Sequence, residues 1–196
     1  MAVRPVRLYG DPVLRQKAQP VAGVDDTVRE LIADMRETMH AYHGVGLAGN
    51  QVGVLQRVLV IDIPVDEQTR FRCALVNPEI DRRQGTETGE EGCLSIPGLY
   101  EDVKRARSVR VRGLDEHGQP LEFTADGYLA RCVQHEVDHL DGILFVDRLS
   151  LLKRQFLRSS LDAIARGEVP APHRAGSTSG SASGSGDGSA ASGSGA

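Results

Sequence analysis

Tryptophan is absent from this 196-residue chain, and only four Tyr and four Phe supply aromatic surface. That scarcity leaves little on which single-stranded nucleic-acid bases could stack. Cysteine is rare as well. Cys73, Cys93 and Cys132 are odd in number, far apart and without CxxC spacing, which argues against a disulfide framework and for a reducing, cytoplasmic setting. No apolar run approaches the roughly 18 residues of a membrane span. The N-terminus carries Arg4 and Arg7 but no apolar core of a secretory signal. With 23 Lys and Arg against 27 Asp and Glu, the net charge is −4, so sequence-specific nucleic-acid binding is not expected. No repeat is visible at solenoid periods.

What is present fits one globular domain. Hydrophobic residues make up 40% and charged residues 26%, ordinary values for a packed core. From residue 176 to 196 the chain is Gly, Ser and Ala, interrupted only by Thr178 and Asp187. Side chains this small cannot offset the entropy of ordering. A disordered tail over 173–196 and a domain over 1–172 are the expected division.

Periodicity supplies the elements. Val28, Leu31, Ile32, Met35 and Met39 recur at helical spacing, predicting a helix over 27–41 with Asp25 or Asp26 as cap and Gly44 as stop. Residues 58–63 and 73–76 read as strands. The segment 84–98 is polar and glycine-rich, and 90–98 within it reads as a glycine- and proline-bounded loop. A hairpin is expected from 109–112 and 121–124 about the turn at Asp115–Pro120. A buried helix is expected over 127–140, and a last helix over 151–165 with Leu151, Leu152, Gln155, Leu161 and Ile164 on its inner face. Separated strands and helices without βαβ alternation indicate an α+β fold.

The sharpest chemical signal is His135-Glu136-Val137-Asp138-His139, an HExxH run. On a helix the two histidines share a face, their Cβ atoms about 5–6 Å apart, close enough for both rings to reach one cation. Glu136 is then placed to take a proton from a bound water. Burying two histidines and a glutamate needs a compensating partner, and a metal is one. Two ligands are too few for a catalytic site, which usually has three and an open position. In a metzincin-like continuation the third histidine falls on Phe145. A later glutamate, as in other metallopeptidases, would be Glu168, beyond the last helical pattern. Cys93 lies in the Gly- and Pro-bounded stretch Glu90-Glu91-Gly92-Cys93-Leu94-Ser95-Ile96-Pro97-Gly98. Cys132 sits one helical turn before His135, as pocket wall or as the fourth ligand of a closed structural site. His40 and His43, at the end of the first helix, read as structural.

Three segments, Gly44-Val45-Gly46-Leu47-Ala48-Gly49-Asn50-Gln51, Glu91-Gly92-Cys93-Leu94-Ser95 and Gln134-His135-Glu136-Val137-Asp138-His139, resemble in order the signature motifs of the bacterial peptide deformylases. Gly10-Asp11-Pro12-Val13-Leu14-Arg15 adds to the likeness, which runs over residues 5–165. It implies small antiparallel sheets packed around a central helix carrying HExxH, with N- and C-terminal helices. It further implies a metallohydrolase that removes formyl from N-terminal formyl-methionine. By this resemblance Cys93, His135 and His139 bind the metal, Fe(II) with Zn(II), Ni(II) or Co(II) accepted, and Glu136 is general acid/base. Gln51 and the Leu94 backbone N–H would hold the oxyanion. Val45, Gly46, Tyr128 and Cys132 would line the substrate pocket, with Arg131 near it, and Arg105 would pair with Asp138. The expected partners are formyl-methionyl nascent peptides and, through Lys153, Arg154 and Arg158 on the last helix, the ribosome. A metallopeptidase with an acidic third ligand and a closed structural metal domain are the competing readings.

Overall fold

The structure, a computed structural model, describes residues 2–66, 68–168 and 173–174. Helix α1 (Asp26–Ala41) begins where the Asp25 carboxylate accepts the Val28 N–H, capping the first turn. Its apolar stripe is buried as the periodicity requires. At its end, Gly44 N–H reaches back to the Met39 carbonyl and His43 N–H to that of His40. This pair of bonds requires a left-handed residue after the cap. That residue is His43, at φ 56°, rather than the Gly44 expected to stop the helix.

Strands β1 (Gly46–Ala48), β2 (Val58–Pro64), β3 (Arg70–Gln84), β6 (Ser108–Leu114) and β7 (Pro120–Asp126) form one antiparallel sheet in the order β1-β2-β3-β6-β7. β2 is buried on both faces, which explains its largely apolar run, interrupted only by Asp62. Val58 and Val60 pack with α1, while Leu59, Ile61 and Ile63 face the opposite way, onto helix α2 (Gly127–Leu140). β3 is far longer than the predicted 73–76. The exposed half beyond Val76 pairs with β6 through register shifts, so its polar composition hid it.

A second sheet corrects the loop reading of 90–98. β4 (Glu87–Cys93) and β5 (Ile96–Arg105) form a hairpin, joined by the two-residue strand β8 (His173–Arg174) running parallel to β5. The remainder of the predicted tail lies outside the described residues. Helix α3 (Leu151–Ala165) opens on Ser150, whose hydroxyl accepts the Lys153 N–H. It packs Leu157, Leu161 and Ile164 against Ile96, Leu99 and Val103 of β5. Leu151, Leu152 and Gln155, expected on the inner face, are exposed instead, because the neighbouring strands, not periodicity, decide which flank is covered. Among the described residues no helix is long and apolar enough to cross a membrane.

Candidate metal centre

Helix α2 lies between the two sheets, and every residue from Ala130 to Leu140 is buried. His135 and His139 therefore project from one face into the protein, their ring centroids 4.9 Å apart. Opposite them the β4–β5 register breaks between Gly92 and Cys93, and the Cys93 Sγ comes 3.1 Å from His139 Nε2. One donor atom from each of Cys93, His135 and His139 lies within 4.8 Å of the others, the one such group of metal-capable side chains among the described residues. An ion bonded at about 2.3 Å to sulfur and 2.0–2.1 Å to nitrogen spreads tetrahedral donors roughly 3.5 Å apart. The donor set and its spacing fit a divalent cation.

Gln51 reaches the same point from a short 3-10 turn (Gly49–Val52) after β1. Its Oε1 accepts the Ala48 N–H at 2.8 Å, which fixes the amide so that Nε2 points at Cys93 Sγ (3.5 Å) and Ser95 Oγ (3.2 Å). Glu136 is buried, and its Oε2 has no hydrogen-bond partner among the described residues. Burial pushes its carboxyl up to about 7. The approach of β1 makes this arrangement possible. A Cβ at Gly46 would lie 3.0 Å from Cys132 Sγ and closer still to Glu136, so only glycine leaves room for the carboxylate.

Behind the histidines lies a buried ionic cluster. Glu91 Oε2 accepts from His135 Nδ1 at 2.9 Å. Arg105 grips both Glu91 oxygens, at 2.8 and 2.9 Å, and also binds Asp138. Asp138 in turn accepts from Arg148 Nε at 2.9 Å. Burial alone would raise the Glu91 pKa, yet the bonds from Arg105 and His135 overcome it and hold the carboxyl well below the usual range. His139 is different. Burial drives its pKa well down, keeping the ring neutral, the form that ligates.

A cavity of about 450 Å³ opens over this centre, with Val45, Gly46, Leu94, Tyr128, Arg131 and Cys132 in its walls. Tyr128 stands at the rim, 54% exposed. Cys132 Sγ faces the Val45 carbonyl at 3.9 Å and is outside the donor group, so it supplies no fourth ligand. Glu168, the candidate ligand of a metallopeptidase, is exposed after α3 and pairs with Arg166. His40 pairs with Asp62 of β2 at 2.9 Å, away from the donors. Glu91 and Arg148 had no role assigned from the sequence. An acid two residues before the cysteine was a usable hint for Glu91; nothing local marked Arg148.

Fold and site thus have the form of a metallohydrolase, with a buried HExxH helix and a cysteine 3.1 Å from its second histidine. Residues 3–155 match the polypeptide deformylase family. A peptide deformylase of Alkalilimnicola ehrlichii is 55% identical over 166 residues, covering 85% of this chain and 93% of that one. The crystal structure of a peptide deformylase from Legionella pneumophila aligns with TM-score 0.77 at 47% identity, over 84% of this chain and 96% of that one. That of the enzyme from Thermus thermophilus gives 0.78 at 46%, over 84% and 99%. The chain belongs to the polypeptide deformylase family. Its activity is that of the family, metal-dependent removal of the formyl group from N-terminal formyl-methionine.

Proposed function

We propose that Cys93, His135 and His139 hold one divalent cation, Fe(II) in the cell with Zn(II), Ni(II) or Co(II) as substitutes, and that Glu136 moves the protons of deformylation. Cysteine with two histidines suits any of these ions. A bound cation would supply Lewis acidity and lower the pKa of a coordinated water from about 15.7 toward 7. Glu136 takes a proton from the water attacking the formyl carbon and hands it to the departing amine, the two roles a buried carboxylate beside the reacting atoms can fill. The Gln51 amide and the Leu94 backbone N–H receive the developing oxyanion, and loss of one such donor typically costs about 10²- to 10³-fold in rate. Val45, Gly46, Tyr128 and Cys132 form the pocket and groove for the first side chain. Arg105 and Asp138 brace the helix behind the ligands.

One observation carries this reading: Cys93, His135 and the buried Glu136, whose Oε2 has no partner among the described residues, line a single cavity, and His139 joins Cys93 and His135 in one donor group. Metal analysis of anaerobically purified protein, paired with formate release, tests it. Glu136→Ala is expected to keep its metal while turnover falls by about 10²- to 10⁴-fold; turnover near wild type would overturn the assignment.

In this reading residues 1–172 are the catalytic domain, working in the cytoplasm on nascent formyl-methionyl peptides. The cationic side of α3 would bring it to the ribosome, since ribosomal RNA is a dense array of phosphates. Arg158 is largely exposed, with only a loose pairing to Asp162 at 3.9 Å. Replacing Lys153, Arg154 and Arg158 by Glu is expected to abolish co-sedimentation with ribosomes. Unchanged sedimentation would remove the docking role and leave the chemistry untouched.

A further inference from the structure

Arg131 is a buried cation with a single acidic partner among the described residues. It sits on α2 four residues before His135, 7% exposed. Its guanidinium ties three elements together: Nη1 donates to Glu91 Oε1 and to the Val103 carbonyl, both at 2.8 Å, and Nη2 to the Glu87 carbonyl at 3.1 Å. The head fits a prepared slot. A Cβ at Gly89 would lie only 3.1 Å from Nη2 and 3.3 Å from Nε, so the bare backbone of β4 is what admits the planar group.

The consequence runs through Glu91. Of its two oxygens, Oε2 receives the His135 N–H and Oε1 receives Arg131. Arg105 holds both oxygens but divides its donors between Glu91 and Asp138. Arg131 gives its whole ionic interaction to Glu91. A carboxylate turned a few tens of degrees about its last bond would lose His135, and the bond to Arg131 resists that turn. Hydrogen-bond partners behind a metal-bound imidazole set its orientation and basicity, and their loss typically weakens metal affinity by about 10- to 100-fold.

We propose that Arg131 is a positioning residue: by clamping Glu91 it holds His135 in its ligating orientation and governs how long the metal stays. The same side chain lines the cavity, so one residue serves both pocket wall and metal retention. This rests on the assignment of Cys93, His135 and His139 as the ligands.

The test is the rate at which Co(II)-loaded protein loses its ion to excess chelator, read from the cobalt–thiolate absorption rather than from turnover. Arg131→Lys keeps the charge, but a single ammonium cannot span Glu91 and two carbonyls as the fork does; Arg131→Met removes the charge as well. Both are expected to release cobalt at least tenfold faster than wild type, with altered ligand-field bands before release. Gly89→Ala, which crowds the guanidinium without touching Glu91, is expected to move in the same direction by less. Circular dichroism of the metal-free proteins reports folding separately. If Arg131→Met does not fold, Arg131→Lys and Gly89→Ala decide the matter. Wild-type release rates in a folded Arg131→Lys would overturn the proposal and leave the ligand assignment standing. A wild-type protein that binds no stoichiometric cobalt would overturn both.

Discussion

Helices α2 and α3 are nearly equal in length, yet they invert the usual rule of what goes inside. α2 buries Arg131, Gln134, His135, Glu136, Asp138 and His139. α3 leaves Leu151, Leu152 and Phe156 at 78, 63 and 76% exposure. The buried polar groups of α2 are nearly all partnered, by Glu91, Arg105 or backbone carbonyls. The two orphaned atoms on this helix are Glu136 Oε2 and His139 Nδ1. α3 needs only Leu157, Leu161 and Ile164 to hold its place, and its outer face is spare surface. Burial of polarity marks a site that other side chains have been recruited to support; exposure of scattered apolar residues marks a face that the core does not use.

The sharpest way to press this contrast is to break a buried charge on α2. Asp138→Ala would leave the buried Arg105, whose side chain is 3% exposed, and Arg131 sharing the single carboxylate of Glu91, and denaturant melts are expected to show a loss of about 3–5 kcal/mol. A loss under about 1 kcal/mol, the range of a solvent-exposed pair, would mean that the cluster is far wetter than its burial implies. Next comes the inner face of α3. Leu157→Ala empties a buried position and is expected to cost about 2–5 kcal/mol. The smallest effect belongs to the outer face, where Phe156→Ala is expected to shift stability by no more than about 0.5 kcal/mol. A large loss there would show that the exposed ring packs against something, and would erase the difference between the two helices.

The sequence made some of this readable and concealed the rest. HExxH on a helix is a local pattern, because four residues along an α-helix return to the same face, and α2 and α3 have the predicted bounds. The β4–β5 hairpin escaped because its glycines read as breakers. In the fold they are slots: Gly89 receives the Arg131 guanidinium, and a Cβ at Gly92 would lie 2.5 Å from the Tyr100 ring. Glu91 was legible as part of a motif but not as the partner of His135, which is distant in sequence. The inner face of α3 was misjudged because two leucines at its start fit the period while no strand among the described residues covers them.

By itself, then, the chain determined its helices, its HExxH face and its likeness to the deformylases, since these depend on spacing within one segment or on motifs carried whole. The tertiary structure alone decided that Cys93 meets the histidines, that Glu91 is shared by Arg105, Arg131 and His135, and that Gly46 makes way for Glu136. Those contacts join residues far apart in sequence, and only the packing of α2 between two sheets sets their distances.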